Sequence, residues 1–464
     1  MNILLASTLI FGLILRLISL NQSFWLDEAV QVWASSSFSL SKLLTQYMPG
    51  DFNPPLYHLA LKGWIQILGN SEDQIRLLSV IFGIASLNIF YQILLELKLK
   101  KAWLPAMLLL ATSPLHIYYS QEVRMYILAG LGFLLSLWRF LVFFRRKSLK
   151  NSIFLSLSFL VMAFSHFLAL FTLPVFFFWG IGQERKNKKK NWVLFLFPFF
   201  ILLVAYLAYS PLLLSQIKTG LGWQEEFPVW RQTVGSFSLK AAALLPLKFI
   251  IGRISFSPPW FYGAISVVLV ILYWGLALLG IRKGKKIGRK WLLIFLLLAF
   301  PVLAGFLLSY KISVFSYFRF LYVLPLFYLL IGAGLEKMGR CLLFFSILFV
   351  GINLICTFIY LANPNFHREN WRGAVSWLHS QNQRFESSLI ILPQIDKPFL
   401  YYDQGQTRLI TADEAKDPLV YLASYSLPIF DPSDKIRKTL GEKGYKLDKG
   451  ESFNQVGIEL WRRE

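Results

Sequence analysis

The stretch Phe24-Trp25-Leu26-Asp27-Glu28-Ala29 follows directly on the first hydrophobic run of the chain, which extends from about Ile3 to Leu20. A membrane-spanning helix needs about 17–25 predominantly apolar residues, and this run reaches that length. It lacks a basic leading segment and an Ala-x-Ala cleavage site, so we expect a retained first span and not a removed signal peptide. The carboxylates of Asp27 and Glu28 are then expected where a membrane helix leaves the bilayer.

The rest of the chain has the composition of a polytopic α-helical membrane protein. Of its 464 residues, 56% are hydrophobic, 17% are aromatic and only 16% are charged, whereas soluble domains carry about 25% charged residues. Apolar runs of spanning length recur, and we predict about eleven transmembrane helices. They lie near residues 3–20, 75–96, 102–119, 126–144, 151–165, 167–182, 192–210, 261–281, 291–309, 320–335 and 341–361.

The charge distribution predicts the orientation. Residues 1–362 hold 33 basic and 11 acidic side chains, and residues 363–464 hold 14 of each, so the net charge of +22 belongs to the membrane part. The surplus is concentrated in short loops between alternate spans, as the positive-inside rule describes, which argues against a nucleic-acid partner. The basic clusters are Lys98/Lys100/Lys101, Arg145-Arg146-Lys147, Arg185 to Lys190, Arg282 to Lys290 and Lys337/Arg340. Most acids, apart from Glu96, Glu184 and Glu336, then fall on the outer side.

We expect the chain to form two domains. Residues 1–361 form the membrane domain, with a long first outer loop at 21–74 and a second at about 211–259. Residues 362–464 are less apolar and predict a small α/β domain, with strands at 388–392, 419–423 and 456–461 and a helix at 435–443. An odd number of spans places this domain outside, and an even number would place it inside.

The first outer loop predicts two short surface helices, one beginning near Asp27 and one from after Pro55 to about Leu68. Each polar residue there has a plain structural alternative. Asp27 could be a helix cap, with Glu28 complementing the helix dipole, and Asp51 before Asn53-Pro54-Pro55 could be a turn residue. His58 could be merely interfacial, and Lys62 and Arg76 could extend toward lipid headgroups.

Later outer segments carry further candidates. The segment 113–126 holds a histidine, three tyrosines, Glu122 and Arg124 in one short turn between apolar runs. Glu122 and Arg124 could either bind substrate or pin that turn. His166 lies between apolar runs, where a histidine is usually a packing residue, and Arg319 suits either phosphate recognition or interfacial anchoring.

The sequence lacks the motifs that are typical of several other classes of protein. There is no Walker loop, Rossmann glycine pattern, zinc spacing or Gly-x-Ser-x-Gly elbow. Cys341 and Cys356 both fall in the last apolar run and imply no disulfide framework.

An ordered set of short motifs resembles bacterial and archaeal members of glycosyltransferase family 39, relatives of the protein O-mannosyltransferases and aminoarabinose transferases in the C-type superfamily. The motifs are Leu26-Asp27-Glu28-Ala29, Asn53-Pro54-Pro55-Leu56-Tyr57, Arg76-Leu77, Ser113-Pro114 to Tyr126, Ser165-His166-Phe167, Arg319 with Pro325, and Asn370-Trp371-Arg372-Gly373-Ala374. Phe320 and His58 stand where relatives commonly have tyrosine. The tail lacks the β-trefoil-type domain of eukaryotic protein mannosyltransferases, which argues against a protein acceptor.

The resemblance implies the C-type glycosyltransferase fold, a plasma-membrane location, a polyprenyl-phosphate-linked sugar as donor and a hydroxyl outside the cytoplasm as acceptor. The acceptor classes are glycolipid, polysaccharide or protein. Asp27 is then expected to be the general base, with Glu28 as an acceptor positioner or metal partner. The expected substrate-binding residues are Asp51, Lys62, Glu122, Arg124, His166 and Arg319. No cofactor is assigned; Asp27, Glu28 and His166 are a candidate site for a divalent cation.

Two other functions remain open on the sequence. A transporter or flippase of lipid-linked sugars would place ionisable residues near the midplane and often shows inverted halves; here the acids gather at one face and no such halves are evident. A non-catalytic scaffold subunit would need none of the three residues Asp27, Glu28 and Arg319.

Overall fold

In the computed structural model, the described residues are 2–186, 190–281, 289–382 and 388–464. Parts of two predicted basic clusters, residues 187–189 and 282–288, lie outside them. The described part of the chain is a bundle of helices that carries a small mixed sheet near its C-terminal end. The prediction of a polytopic helical protein with a small α/β tail domain is confirmed.

The helices of the membrane part cover all eleven predicted runs, with bounds that often differ. They are α1 Asn2–Leu17, α2 Leu26–Ser37, α3 Leu40–Lys42, α4 Leu56–Leu68, α5 Glu72–Glu96, α6 Trp103–Ala111, α7 Pro114–Ser120, α8 Tyr126–Arg145, α9 Leu149–Ser165, α10 Leu173–Lys186, α11 Trp192–Glu226, α12 Pro228–Gly235, α13 Leu239–Ile251, α14 Pro259–Ile281, α15 Arg289–Leu308, α16 Leu324–Glu336 and α17 Leu342–Ala362. Short 3₁₀ segments, Phe167–Thr172 and Tyr317–Val323, lead into α10 and α16.

The number of spans differs from the prediction. Eight described helical segments are long and apolar enough to cross a membrane, or nine if the bent pair α12–α13 counts as one. α1 and α9 are shorter apolar helices, and the predicted span at 102–119 is divided into α6 and α7. The division lies at Ser113, which caps α7, and Pro114 occupies the first turn of α7. A single continuous helix is disfavoured here because proline lacks the backbone N–H that it would need.

α11 is much longer than predicted. The run was expected to end near residue 210, but the helix continues for 35 residues to Glu226, with Pro198 and Pro211 inside it. Its extension packs on the first loop: the buried Gln216 amide donates to the Met48 carbonyl at 3.0 Å and the Asn53 carbonyl at 2.8 Å. The second outer loop is therefore mostly helical and supports the segment that carries Asp51.

Two glycines allow α14 and α16 to approach closely. A Cβ atom at Gly280 would lie 2.1 Å from the Leu330 carbonyl oxygen, and one at Gly334 would lie 2.1 Å from that of Leu276. Small residues at such crossings favour backbone contact between membrane helices. α16 is buried throughout nearly all of its length and forms the centre of the bundle.

Charged groups separate to the two ends of the bundle. At one end Glu96 pairs with Arg145 at 2.7 Å, and Glu184 pairs with Lys147 at 2.5 Å. Glu336 at this end accepts hydrogen bonds from the backbone of Lys100 and Lys101. The three acids predicted on the basic side thus meet the basic clusters, as expected.

The tail contains α18 Trp371–Asn382, α19 Asp396–Asp403, α20 Leu427–Phe430 and α21 Lys435–Glu442. Its strands are β1 Ser388–Ile390, β2 Arg408–Ile410, β3 Leu419–Ala423, β4 Tyr445–Phe453 and β5 Val456–Arg463. The sheet order is β2-β1-β3-β5-β4, parallel from β2 to β3 and antiparallel from β3 to β4. The three predicted strands and the predicted helix are present; β2 and β4 were not predicted.

The tail lies at the same end of the bundle as the first loop. Arg372 pairs with Glu72 at the start of α5, and the Tyr402 hydroxyl lies 2.7 Å from that carboxylate. On another side, Phe430 of α20 packs against Phe227, with ring centroids 5.3 Å apart. Segments on the same side of a membrane are separated by an even number of spans, so these contacts agree with the odd total, in which one span precedes the first loop.

Candidate active site

Asp27 and Glu28 lie in the first turn of α2, which begins at Leu26. The residue at the cap position is Trp25, and its side chain makes no capping hydrogen bond, so Asp27 is not the helix cap. Consecutive helical residues point about 100° apart. The Asp27 side chain is therefore 40% exposed, while that of Glu28 is fully buried.

Glu28 is held by a dense set of donors. The Arg76 guanidinium donates to both carboxylate oxygens, at 3.0 and 2.5 Å, and the Val123 amide donates to one of them at 2.9 Å. The Arg368 Nε atom lies 3.4 Å away. Burial alone would raise the pKa of Glu28, but the charges of Arg76 and Arg368 outweigh it, so that pKa lies below its ordinary value.

Arg76 does not extend toward lipid headgroups. Its side chain is fully buried and also donates to the carbonyls of Leu20, Gln22 and Ser23. A planar guanidinium with five donors suits such a multiple contact. Arg76 therefore fixes the connection between α1 and α2.

Asp27 faces a group of cationic and aromatic side chains. The Arg124 guanidinium lies 3.4 Å from its carboxylate and 5.9 Å from the centre of the Tyr126 ring. Tyr126 also packs against His166, at 5.7 Å between centroids. Arg319 lies within electrostatic range of Tyr126 and Asp27, and it donates to the Ser313 carbonyl at 2.7 Å. The structure thus brings together Asp27, Arg124, His166 and Arg319.

His166 is neutral in this group. Burial, together with the charges of Arg319 and Arg124, lowers its pKa to about 3. Its Nδ1 accepts a hydrogen bond from the Leu168 amide at 3.2 Å, at the start of the 3₁₀ segment. The neutral ring then carries its proton on Nε2 and is available only as a donor there.

Asp51 joins this group from the first loop. One carboxylate oxygen accepts from the Asn53 amide at 2.9 Å, as the turn interpretation expects, and the other lies 3.4 Å from His58 Nε2. His58 is buried and not interfacial, and burial lowers its pKa to about 4 although Asp51 opposes that shift. The Tyr47 ring packs on His58 and lies near Asp27, Asp51 and Arg124.

Lys62 has different contacts. Its ammonium group donates to the carbonyls of Ser35 at 3.2 Å and Phe38 at 2.5 Å, at the end of α2. A cation there complements the negative end of the helix. Among the described residues, the contacts recorded for Lys62 are with α2 and not with the arginine group.

Glu122 lies in the turn before α8 and is 1% exposed. Neither of its carboxylate oxygens has a hydrogen-bond partner within the described part of the chain, and the Arg368 Nη2 atom is 3.9 Å away. Burial raises the pKa of Glu122 to about 7, although Arg368 opposes the shift. A buried carboxyl with this pKa changes protonation near neutral pH.

Two arginines that the sequence interpretation did not select complete the group. Arg253 and Arg368 lie on the Tyr118 ring, each with its guanidinium carbon 4.6 Å from the ring centre. Arg253 is exposed and also donates to the Tyr118 hydroxyl. The signals were present in the sequence: Arg253 follows Gly252 at the end of a helical pattern, and Arg368 stands in a charged triplet just before the recognised Asn370 motif.

Gly252 explains how Arg253 reaches this position. It ends α13 with a φ of +68°, a conformation that other residues rarely adopt. A Cβ atom there would lie 3.0 Å from the Pro114 side chain and 3.3 Å from the Leu115 amide nitrogen. The close approach of α13 to α7 therefore depends on glycine.

The candidate cation site is not formed. Among the described residues there is no group of three His, Cys, Asp or Glu side chains that could hold a metal ion. Glu28 is engaged by Arg76 and Arg368, and the Nδ1 atom of His166 is used by the backbone. Asp27, Glu28 and His166 are thus not gathered into one cation site among the described residues, and the shared site stays a prediction.

Comparisons with known proteins give a partial family match and a shared fold. Residues 53–211 match the family model of the dolichyl-phosphate-mannose-protein mannosyltransferases. A search of curated proteins returns no match.

Solved structures share the fold over nearly the whole chain. The ArnT protein of Cupriavidus metallidurans bound to undecaprenyl phosphate is 10% identical with a TM-score of 0.59, covering 99% of this chain and 97% of that one. Its apo state gives 11% identity, a TM-score of 0.57 and the same coverage. The oligosaccharyltransferase of Archaeoglobus fulgidus in complex with Zn and sulfate gives 11% identity, a TM-score of 0.55, and covers 95% of this chain and 71% of that one.

The family match and the shared fold confirm the resemblance inferred from the motifs, and they favour neither the transporter nor the scaffold interpretation. The chain is therefore a multi-pass membrane protein that shares its fold with these solved structures and is similar to the dolichyl-phosphate-mannose-protein mannosyltransferases over residues 53–211.

Proposed function

We propose that the protein transfers a sugar from a polyprenyl-phosphate donor to an acceptor hydroxyl, with Asp27 as general base. The observation that carries this proposal is an accessible carboxylate beside a group of arginines: Asp27 is 40% exposed and lies 3.4 Å from Arg124. An accessible carboxylate can take a proton from a hydroxyl, and arginines can bind the phosphate that departs.

The acceptor oxygen attacks the anomeric carbon of the sugar as its proton passes to Asp27. The bond between that carbon and the phosphate oxygen breaks, and its electron pair remains on the polyprenyl phosphate. Direct displacement of this kind inverts the anomeric centre. The Asp27 proton then returns to solvent.

Charge that develops on the departing phosphate needs prearranged donors. Arg253 and Arg319 are the proposed phosphate contacts, because Arg253 is exposed beside Tyr118 and Arg319 lies beside Tyr126. Arg124 connects this region to Asp27. Since the acidic and imidazole groups do not form a cation site among the described residues, we route no step through a metal.

The remaining predicted site residues take supporting roles. Glu28 holds α2 against Arg76 and does not meet substrate. Asp51, with Tyr47, is placed to accept hydrogen bonds from sugar or acceptor hydroxyls beside Asp27. Lys62 holds the end of α2.

We place the reaction on the outer face of the plasma membrane. The end of the bundle that carries Asp27 is opposite the basic clusters, which the positive-inside rule assigns to the cytoplasm. The isoprenoid tail of the donor would stay in the bilayer while its phosphate reaches the arginines. A glycolipid or a polysaccharide is the favoured acceptor class, and a protein is the alternative that the family description supports.

The base assignment is tested by Asp27→Asn in purified enzyme supplied with polyprenyl-phosphate sugars. We expect sugar transfer to fall about 100- to 10,000-fold, because a missing general base costs that much, while binding of the polyprenyl phosphate remains. Asp73→Asn is the matched control, since Asp73 is exposed and its carboxylate accepts a hydrogen bond from the Ser71 hydroxyl. Transfer by the Asp27 variant at the wild-type rate would exclude this residue as the base.

A further inference from the structure

The segment between α17 and α18 reaches from the tail into the centre of the candidate site. Arg368 and Glu369, at 5% and 6% exposure, are buried there. The tail sheet holds the backbone of this segment through Asn454, at the tip of the β4–β5 hairpin. The side-chain amide of Asn454 donates to the carbonyls of Pro364, His367 and Arg368 at 3.1, 3.3 and 2.7 Å. The position of these two side chains is thus set by the tail and not by the membrane helices alone.

Arg368 contacts three elements of the membrane part. Its guanidinium lies 3.4 Å from Glu28 and 3.9 Å from Glu122, donates to the Tyr118 carbonyl at 3.3 Å, and covers the Tyr118 ring. The same ring is also contacted by Arg253. Since its side chain is 1% exposed, Arg368 has no open path to a phosphate, and it acts on the site through these neighbours.

Glu369 contacts the start of the helix that carries Asp27. One carboxylate oxygen accepts from the Leu26 amide at 3.2 Å and from the Trp371 indole at 3.1 Å, and the other accepts from the Tyr425 hydroxyl at 2.6 Å. The first N–H groups of a helix lack partners within the helix. Because Trp25 supplies no side-chain cap, Glu369 supplies the negatively charged acceptor that the N-terminus of α2 needs.

We propose that Arg368 and Glu369 are positioning residues for sugar transfer, so that the tail domain completes the active site by fixing the first turn of α2 and the Tyr118–Arg253 pair. The expected effect on sugar transfer rests on the proposed function. The fixing of the first turn of α2 does not. Arg368 fixes Glu28, and Glu369 fixes the amide beside Asp27. Together they determine the direction in which the Asp27 carboxylate points.

The first arm of the test does not depend on turnover. Hydrogen–deuterium exchange is measured on the full-length resting enzyme for wild type, Arg368→Gln and Glu369→Gln. The control is Arg462→Gln, since Arg462 is 61% exposed and pairs with Asp448 within the tail, away from the start of α2. We expect amides in residues 26–30 to exchange at least about 10-fold faster in the first two variants, and to remain as in wild type in the control. Exchange in residues 26–30 equal to that of the control would overturn the proposal.

The second arm measures transfer from a polyprenyl-phosphate sugar and binding of undecaprenyl phosphate. We expect Arg368→Gln and Glu369→Gln to lower kcat at least about 10-fold with less than about a 3-fold change in lipid-phosphate affinity, and Arg368→Lys to recover part of the loss. A variant that merely folds less well would bind less lipid in total but would keep the wild-type kcat per lipid-binding site. That result would contradict a positioning role. If wild type binds the lipid but Asp27→Asn transfers normally, the base assignment fails while the exchange arm still decides the proposal for Arg368 and Glu369.

Discussion

Asp27 and Glu28 are neighbours in the chain but lie in opposite environments. Glu28 is fully buried in an ion pair with Arg76, and removing one partner of such a pair leaves an uncompensated charge that costs about 3–5 kcal/mol. Asp27 is accessible and has Arg124 as its only recorded ion-pair partner among the described residues. The dipeptide therefore divides into an anchor and an open carboxylate, a distinction that sequence alone did not make.

Glu122 is expected to make the stability of the folded protein depend on pH. Its pKa is raised to about 7 in the folded protein from an ordinary value of 4.5, so the folded state binds more protons than the unfolded state between these pH values. Stability therefore falls as pH rises from about 4.5 to 7, by up to about 3 kcal/mol from this group, and is then constant.

We expect Glu122→Gln to remove this decline. The neutral amide does not titrate, so the difference in melting temperature between the variant and wild type should grow in favour of the variant from pH 5 to pH 7.5. Thermal unfolding in detergent at a series of pH values measures it. A difference that is independent of pH would mean that Glu122 does not titrate in this range.

At the scale of elements, the helices were predictable and their interruptions were not. The length of apolar runs located the eight described segments that can cross a membrane, but not the bent pair α12–α13; the Asn53-Pro54-Pro55 signal located the start of α4 at Leu56. The pattern could not show that α11 continues past residue 210, because that extension is stabilised by contacts of Gln216 with the distant first loop. For the same reason Arg253 and Arg368 were missed: their partner, Tyr118, is 135 and 250 residues away in the chain.

The end of α13 provides a test at this scale. Gly252→Ala places a Cβ in a left-handed conformation, which costs about 1–2 kcal/mol, and presses it on Pro114 at 3.0 Å. We expect Arg253 to be displaced and the affinity for undecaprenyl phosphate to fall about 10-fold.

Gly263→Ala is the matched control for this substitution. Gly263 lies within α14, and a Cβ there meets nothing within 4 Å, so lipid-phosphate binding should equal that of wild type. Binding measured by titration of the detergent-purified enzyme compares the two. Equal affinities for both variants would show that Arg253 does not bind the phosphate.

At the scale of the whole molecule, charge at the two ends and the contacts of the tail predict one orientation in the membrane. The native cysteine Cys341 is exposed at the basic end, and Cys356 is buried. Ser433 is exposed in the tail, at the opposite end. Labelling of intact cells with a membrane-impermeant maleimide can therefore separate the two ends.

We expect the native protein to remain unlabelled until the cells are permeabilised, because Cys341 would face the cytoplasm. A Cys341→Ser, Ser433→Cys double variant should instead be labelled fully in intact cells. Labelling is read by a mass shift of the purified protein. Labelling of native Cys341 in intact cells, with none of the double variant, would reverse the proposed orientation.

The contact between Leu26 and Glu369 joins residues 343 positions apart. A ribosome makes the chain from its N-terminus, so α1, α2 and α5 exist long before residue 369 has been synthesised. Glu28 can meet Arg76 early, but Arg368 and Glu369 arrive only after the last membrane helix. A nascent or truncated chain would thus hold all its membrane helices and still lack the two residues that complete the proposed reaction centre, so that the proposed transfer would begin only when synthesis has ended.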